Sequence, residues 1–171
     1  MRGLPLSRTF KPTPNTMRIA VLAFSFIFLV PAAFAQPSYS TQSPEDAVRA
    51  VATELFDAMR AGDSTRVRNV FHEEARLHSS FVREGAPMVG GGDSADGFVE
   101  AVGSPHDEVW DERVGEIHVR VDDGLATAWM DYAFFNGEHR SHCGVNAIQL
   151  VNTEDGWKML NIVDTRRSDC E

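Results

Sequence analysis

The sequence predicts an α+β domain, and three observations carry that expectation. Apolar residues at helical spacing are confined to the front of the chain, between Ser43 and about Val102. From Val114 onward the spacing changes to strict alternation, interrupted by turn signals. The longest such stretch, Leu125–Arg167, reads LATAWMDYAFF, NG, EHRSHCGVNAIQLV, NTEDG and WKMLNIVDTRR, which is an antiparallel meander of three strands. Helices first and strands after them are the α+β order.

The 171-residue chain opens on a segment set apart from that domain. Arg18 precedes IAVLAFSFIFLVPAAFA, an apolar run ending in Ala33-Phe34-Ala35, and this is the form of a secretory signal peptide cut after Ala35. Residues 1–16 are unusual for a leader, so Met17 is a candidate start. Pro31 and the small residues that end the run argue against a retained membrane anchor. Residues 36–42 read as a disordered lead-in, and the domain proper as 43–171. Four of the 16 basic residues (Arg2, Arg8, Lys11, Arg18) and none of the 25 acidic ones precede the cut, so 12 face 25 in the mature chain. Its net charge moves from −9 to −13, which opposes binding to nucleic acid or anionic membrane.

Within the domain, Ser43-Pro44-Glu45-Asp46 is a helix start, with Ser43 as cap and Pro44 in the first turn. Val48, Val51, Ala52, Leu55, Phe56 and Met59 give that helix one apolar face, and Gly62 ends it. Asp63 or Ser64 caps a second helix through about Phe71. Ala75–Phe81 reads as a strand, with Pro87–Val89 pairing back across Glu84-Gly85. Gly90-Gly91-Gly92 is a flexible break; it lacks the Lys-Ser/Thr of a phosphate loop. Asp93 or Ser94 begins a third helix through Val102. Val114–Val121 is a strand, and Asp122-Asp123-Gly124 is a three-residue hairpin loop setting Ile117 opposite Trp129 and Val119 opposite Thr127.

A two-residue turn at Asn136-Gly137 sets Asp131 opposite His142 and Trp129 opposite Gly144. The next turn brings Asn146 near Ile162 and Gly144 near Asp164. Opposed residues share a face, so Trp129, Asp131, His142, Asn146 and Asp164 gather on one face, with Ile148, Leu160 and Ile162 beyond them. The Ile117/Val119 alternation makes that the interior. The other face carries Glu116, His118, Arg120, Ala128, Met130, Tyr132, Val145 and Ala147, more apolar than a solvated back should be.

The chain resembles the nuclear transport factor 2-like superfamily, which includes SnoaL-like cyclases and ketosteroid isomerases. The matching residues are Ala61-Gly62-Asp63, the FHEEARL stretch from Phe71 to Leu77, and GWKMLNIVDTRR from Gly156 to Arg167. SHCGVNAIQLV, from Ser141 to Val151, is similar to an exported bacterial subgroup. The resemblance spans about Ser43 to Cys170. It implies a strongly curved antiparallel sheet wrapped as a cone around about three N-terminal helices, with a pocket at one end. It also implies dimerisation through the outer sheet face. The isomerases of this superfamily look to use a Tyr on the first helix; Glu45–Ala61 has none, so that activity does not carry over.

The candidate site follows from these faces. Asp131 and His142 form an acid/base pair in which a buried carboxylate raises the imidazole pKa and fixes its tautomer. Trp129, Asn146 and Asp164 line the same site, and His78 reaches it from the first strand. Asp107, Glu108, Asp111 and Glu112 read as a solvated acidic rim. Arg166 and Arg167 pair with carboxylates or meet an anion at the mouth. With no CxxC or HxxxH spacing, neither a metal nor a cofactor is expected. Cys143 and Cys170 are either bridged, tying the tail to the sheet, or two free thiols. Three functions fit: a binder of an unidentified, partly apolar small molecule; a proton-transfer enzyme with His142 as base; and a non-catalytic dimeric interaction module.

Overall fold

The computed structural model describes residues 42–170. The expected leader lies outside them, as does the lead-in apart from Gln42. Helix α1 (Pro44–Arg60) begins where Ser43 Oγ accepts from the Asp46 N–H at 3.1 Å, with Pro44 in the first turn. It buries Val48, Ala52, Leu55, Phe56 and Met59. Helix α2 (Ser64–Val70) is capped by Asp63, whose carboxylate accepts from the Arg66 N–H. Strands β1 (Phe71–Arg83) and β2 (Ala86–Ser94) follow, then helix α3 (Asp96–Gly103) and strands β3 (Trp110–Val114), β4 (His118–Asp122), β5 (Leu125–Asn136), β6 (His139–Thr153) and β7 (Gly156–Arg166).

The seven strands form one sheet in the order β2-β1-β7-β6-β5-β3, with β4 also pairing β5; β1 and β7 run parallel and the other pairs antiparallel. The sheet curves around the three helices, as the sequence leads one to expect. Met130, Ile148, Leu150 and Met159 are fully buried beneath the helices, each contributing on the order of 2 kcal/mol of hydrophobic stabilisation.

Several local expectations are corrected. The edge strand expected over Val114–Val121 is two short strands, broken at Gly115–Glu116–Ile117. The glycine run is no flexible break: it is part of β2 and pairs β1. Gly91 has φ +82°, and a Cβ there would lie 2.5 Å from the Leu77 carbonyl oxygen, so only glycine lets β2 approach so closely. Because β2 runs through Ser94, α3 starts later than Asp93 or Ser94 would place it.

The largest correction is the face of β5. The β5–β6 turn lies one residue later than expected, pairing Asn136 with His139. That change alone keeps the same residues on the same face. A β-bulge follows: Phe135 pairs Arg140 but Phe134 pairs His142, leaving Ser141 extra. One extra residue moves every later side chain of one strand to the opposite face relative to its partner. Asp131 therefore pairs Val145, Met130 pairs Asn146 and Tyr132 pairs Gly144. On the other edge, the loop before β5 has two residues, so Val119 pairs Ala128. Both differences reverse β5 alone. Ala126, Ala128, Met130 and Tyr132 are buried, while Trp129 is 55% exposed and Asp131 faces out. At the β6–β7 hairpin, a shifted turn and a bulge at Leu160 cancel, so Asn146 pairs Asp164 and both are buried.

Candidate functional site

The expected Asp131–His142 pair does not exist: the two residues lie on opposite faces. Trp129 is likewise outside, on a lateral row with His118, Ala147 and Val163. His78 borders the interior cavity, yet it pairs Val163 on the outer side of β1. Its Cε1 would lie 3.0 Å from a Cβ placed on Gly92. The side chains of β1 that face the site are its neighbours Leu77 and Ser79, and Ser79 supplies the polar contact. Of the other expected lining residues, His142, Asn146 and Asp164 do face inward.

Asp164 on β7 organises one half of the interior. Ser79 Oγ donates to its Oδ1 at 2.6 Å, while the Tyr132 hydroxyl and Arg166 Nε lie 2.9 and 2.8 Å from its Oδ2. Three donors leave this buried carboxylate satisfied. Tyr132, expected on the outside, is buried, and its hydroxyl pKa is pushed up by burial and then by the Asp164 charge, so it remains a neutral donor.

The other half belongs to Glu112 on β3, which the sequence places in a solvated rim. Asn146 Nδ2 donates to Glu112 Oε1 at 2.7 Å. Its second carboxylate oxygen makes no hydrogen bond within the protein among the described residues. Burial pushes the Glu112 pKa up to about 7, helped by the Asp164 charge and opposed by the Asn146 hydrogen bond and by Arg166. Asp111, next to it, points the other way. Burial would raise its pKa, but hydrogen bonds from Arg113 and Arg60, at 2.7 and 2.5 Å, outweigh burial and hold it low. Asp107 and Glu108 are exposed, as a rim should be.

Two adjoining cavities meet at this group. The inner one, about 220 Å³, runs between α1 and the sheet past Leu55, Phe56, Leu77, Ile148 and Ile162. The outer one, about 410 Å³, has walls from Trp110, Phe134 and His142. Both are lined by Met59, Phe98, Glu112 and Arg166. Together they reach the size of small-molecule sites, ~300–1,000 Å³. The His142 ring stacks on Phe134 at 5.0 Å and meets Tyr132 edge-on at 5.7 Å. Its pKa is lowered, first by burial and then by Arg166, contrary to the rise expected from a carboxylate partner. Among the described residues no cluster of His, Cys, Asp or Glu is arranged to hold a metal ion.

Sequence reasoning missed Glu112 and Trp110. Their signal was the alternation in WDERV, where Trp110, Glu112 and Val114 share a face and Asp111 and Arg113 take the other; acidic neighbours disguised it as a rim. Beyond the site, Cys143 and Cys170 are bridged, with S–S 2.11 Å and Cα–Cα 5.9 Å.

A cone of curved sheet around three helices, open to a partly apolar cavity, is the nuclear transport factor 2-like architecture. Solved structures share it. A nuclear transport factor 2-like protein with a cystatin-like fold from Novosphingobium aromaticivorans matches with TM-score 0.58 and 13% identity, over 73% of this chain and 82% of its own. One of unknown function from Pseudomonas putida gives 0.57 and 14%, over 74% and 89%. One from Streptomyces avermitilis, described as a "putative dehydratase", gives 0.53 and 16%, over 72% and 95%. At these identities the likeness establishes fold alone. The chain belongs to the family described as "Putative lumazine-binding", whose model matches residues 43–163. No curated protein matches the sequence.

Proposed function

We propose that the cone binds a small, flat, aromatic molecule whose polar edge meets Glu112 and Asn146. The observation that carries this reading is the Glu112 oxygen that no described residue bonds, at the junction of two cavities that combine apolar and aromatic walls with a few polar groups. The family description adds a ligand of that chemistry: lumazine is a fused heteroaromatic with ring N–H and carbonyl groups. Its rings suit the Trp110, Phe98 and Phe134 walls, and its edge suits a carboxyl beside a carboxamide. Calorimetric titration of lumazine tests the assignment. Saturable binding that weakens about tenfold or more in Asn146→Leu, with the fold retained, is expected for a lost buried hydrogen bond. Binding unchanged in Asn146→Leu removes the site.

A second reading is proton-transfer catalysis, favoured by the burial of a carboxyl in the cavity wall, which pushes the Glu112 pKa up to about 7. In it Glu112 is the base, replacing the Asp131–His142 pair, and His142 stays a neutral ring that packs against substrate. The rate would rise with pH through about 7 and vanish in Glu112→Gln. A profile flat across that range excludes Glu112 as the base.

We further propose that the protein is exported, with cleavage after Ala35. The leader pattern and the bridged cysteines support this. The N-terminal mass of protein recovered from outside the cytoplasm tests it. The exposed Trp129–Ala147–Val163 row supports a homodimer through the outer sheet face. Buried Met130 and Tyr132 have no part in that surface.

A further inference from the structure

A second concavity lies outside the cone, on the face of the sheet away from the helices. It is an open groove of about 660 Å³ near the disulfide. Its floor is made of small residues: Gly115, Ala133, Gly144 and the Cys143 end of the bridge.

Three guanidinium groups border this floor. Arg113, Ala133, Cys143 and Arg167 stand in one lateral row across four adjacent segments. The two arginines are therefore about 14 Å apart at the backbone, with only small residues between them. Arg113 packs its guanidinium 4.0 Å from the Phe135 ring centroid and bonds Asp111. Arg140 comes from the next position along, and its Nη2 donates to the Cys170 carbonyl at 2.8 Å, so the bridged tail holds it in place. Among the described residues neither Arg140 nor Arg167 makes an ion pair. Three guanidiniums gathered on one groove stand out in a chain of net charge −9. Asp131 and Asp169 line the same groove, and their charges disfavour an extended polyanion, leaving a compact anion as the group it suits.

We propose that this outer groove is an oxyanion-binding site, independent of the cone cavity, taking a single carboxylate or phosphate group between Arg113, Arg140 and Arg167. Guanidinium forks suit such groups because they donate in pairs to coplanar oxygens. The disulfide keeps the Arg140 wall assembled, so binding depends on the bridge.

Amide NMR titration of the oxidised protein with inorganic phosphate and, separately, with succinate at constant ionic strength tests this. Saturating shifts at Gly115, Ala133 and Gly144 are expected, about tenfold weaker in Arg167→Ala as one charged partner is lost. Cys170→Ser should also weaken them, while Arg120→Ala, an exposed arginine off the groove, should not. Tighter phosphate marks a phosphoryl ligand, and tighter succinate a carboxylate. Shifts that never saturate, that are equally weakened by Arg120→Ala, or that fall only at Asn146 and Ile148 overturn the proposal. The last pattern would leave the cone-cavity reading standing.

Discussion

Between pH 4.5 and about 7 the folded chain holds a proton on Glu112 that the unfolded chain has released. The folded pKa is raised, so the folded state binds more protons in that window, and stability declines as pH rises through it. Below the window both states are protonated, and above it both are ionised. The full loss is on the order of 3 kcal/mol. Glu112→Gln keeps an acceptor for Asn146 but cannot ionise. It should match the wild type at pH 4 and melt roughly 5–10 °C higher at pH 8, read by calorimetry at both values. Equal Tm differences at the two pH values would show that Glu112 is not the group that titrates. Tyr132 belongs to the same scale. Its hydroxyl is one of three donors on Asp164, so Tyr132→Phe should cost about 1–3 kcal/mol by leaving a buried carboxylate short of a partner, measured by urea unfolding. No change would mean that Ser79 and Arg166 suffice.

Strand β5 shows how one residue decides what a strand presents. The alternation LATAWMDY was plain in the sequence, and so was the hairpin after it. What alternation cannot show is which parity faces in, because that depends on the count of residues through the turns and bulges on either side. Ser141 is the extra residue on one side, and a two-residue rather than three-residue loop changes the count on the other. Strand β6 escaped the same fate because the two changes, one on each side of β5, cancel for it, and at the next hairpin a shifted turn and a bulge cancel in the same way for β7. Asn146 and Asp164 were therefore legible, while Asp131 and Trp129 were not. Gly144 tests the packing behind this register. A Cβ there collides with the Thr165 carbonyl and comes 2.8 Å from Tyr132 Cε1. Gly144→Ala should therefore destabilise by about 3 kcal/mol or more, read from the denaturation midpoint. A near-neutral effect would indicate that β6 and the Thr165–Arg167 segment stand farther apart than described.

At the scale of the whole molecule, the α+β order and the curved sheet around three helices were legible, because each rests on the period of apolar residues and not on their parity. The cone was legible from the resemblance carried by Phe71–Leu77 and Gly156–Arg167. The polar head of its cavity was not, because Glu112 sits among acidic neighbours that point the other way. Two features act on the assembled domain. The Cys143–Cys170 bridge ties the tail to β6 across 27 residues, and Cys170→Ser should cost roughly 2–4 kcal/mol. Denatured, unreduced protein should show no titratable thiol. The proposed homodimer places the exposed Trp129 row at its interface, so Trp129→Asp should halve the mass seen by light scattering, and an unchanged mass would count against that interface. The central claim is that the cone interior, headed by Glu112, is the binding site. The crystal structure of the protein soaked with lumazine tests it most directly. Expected there is the ring edge within hydrogen-bonding distance of Glu112 and Asn146, with the rings against Phe98 and Phe134. Lumazine found only on the outer sheet face, with the interior unchanged, would contradict it.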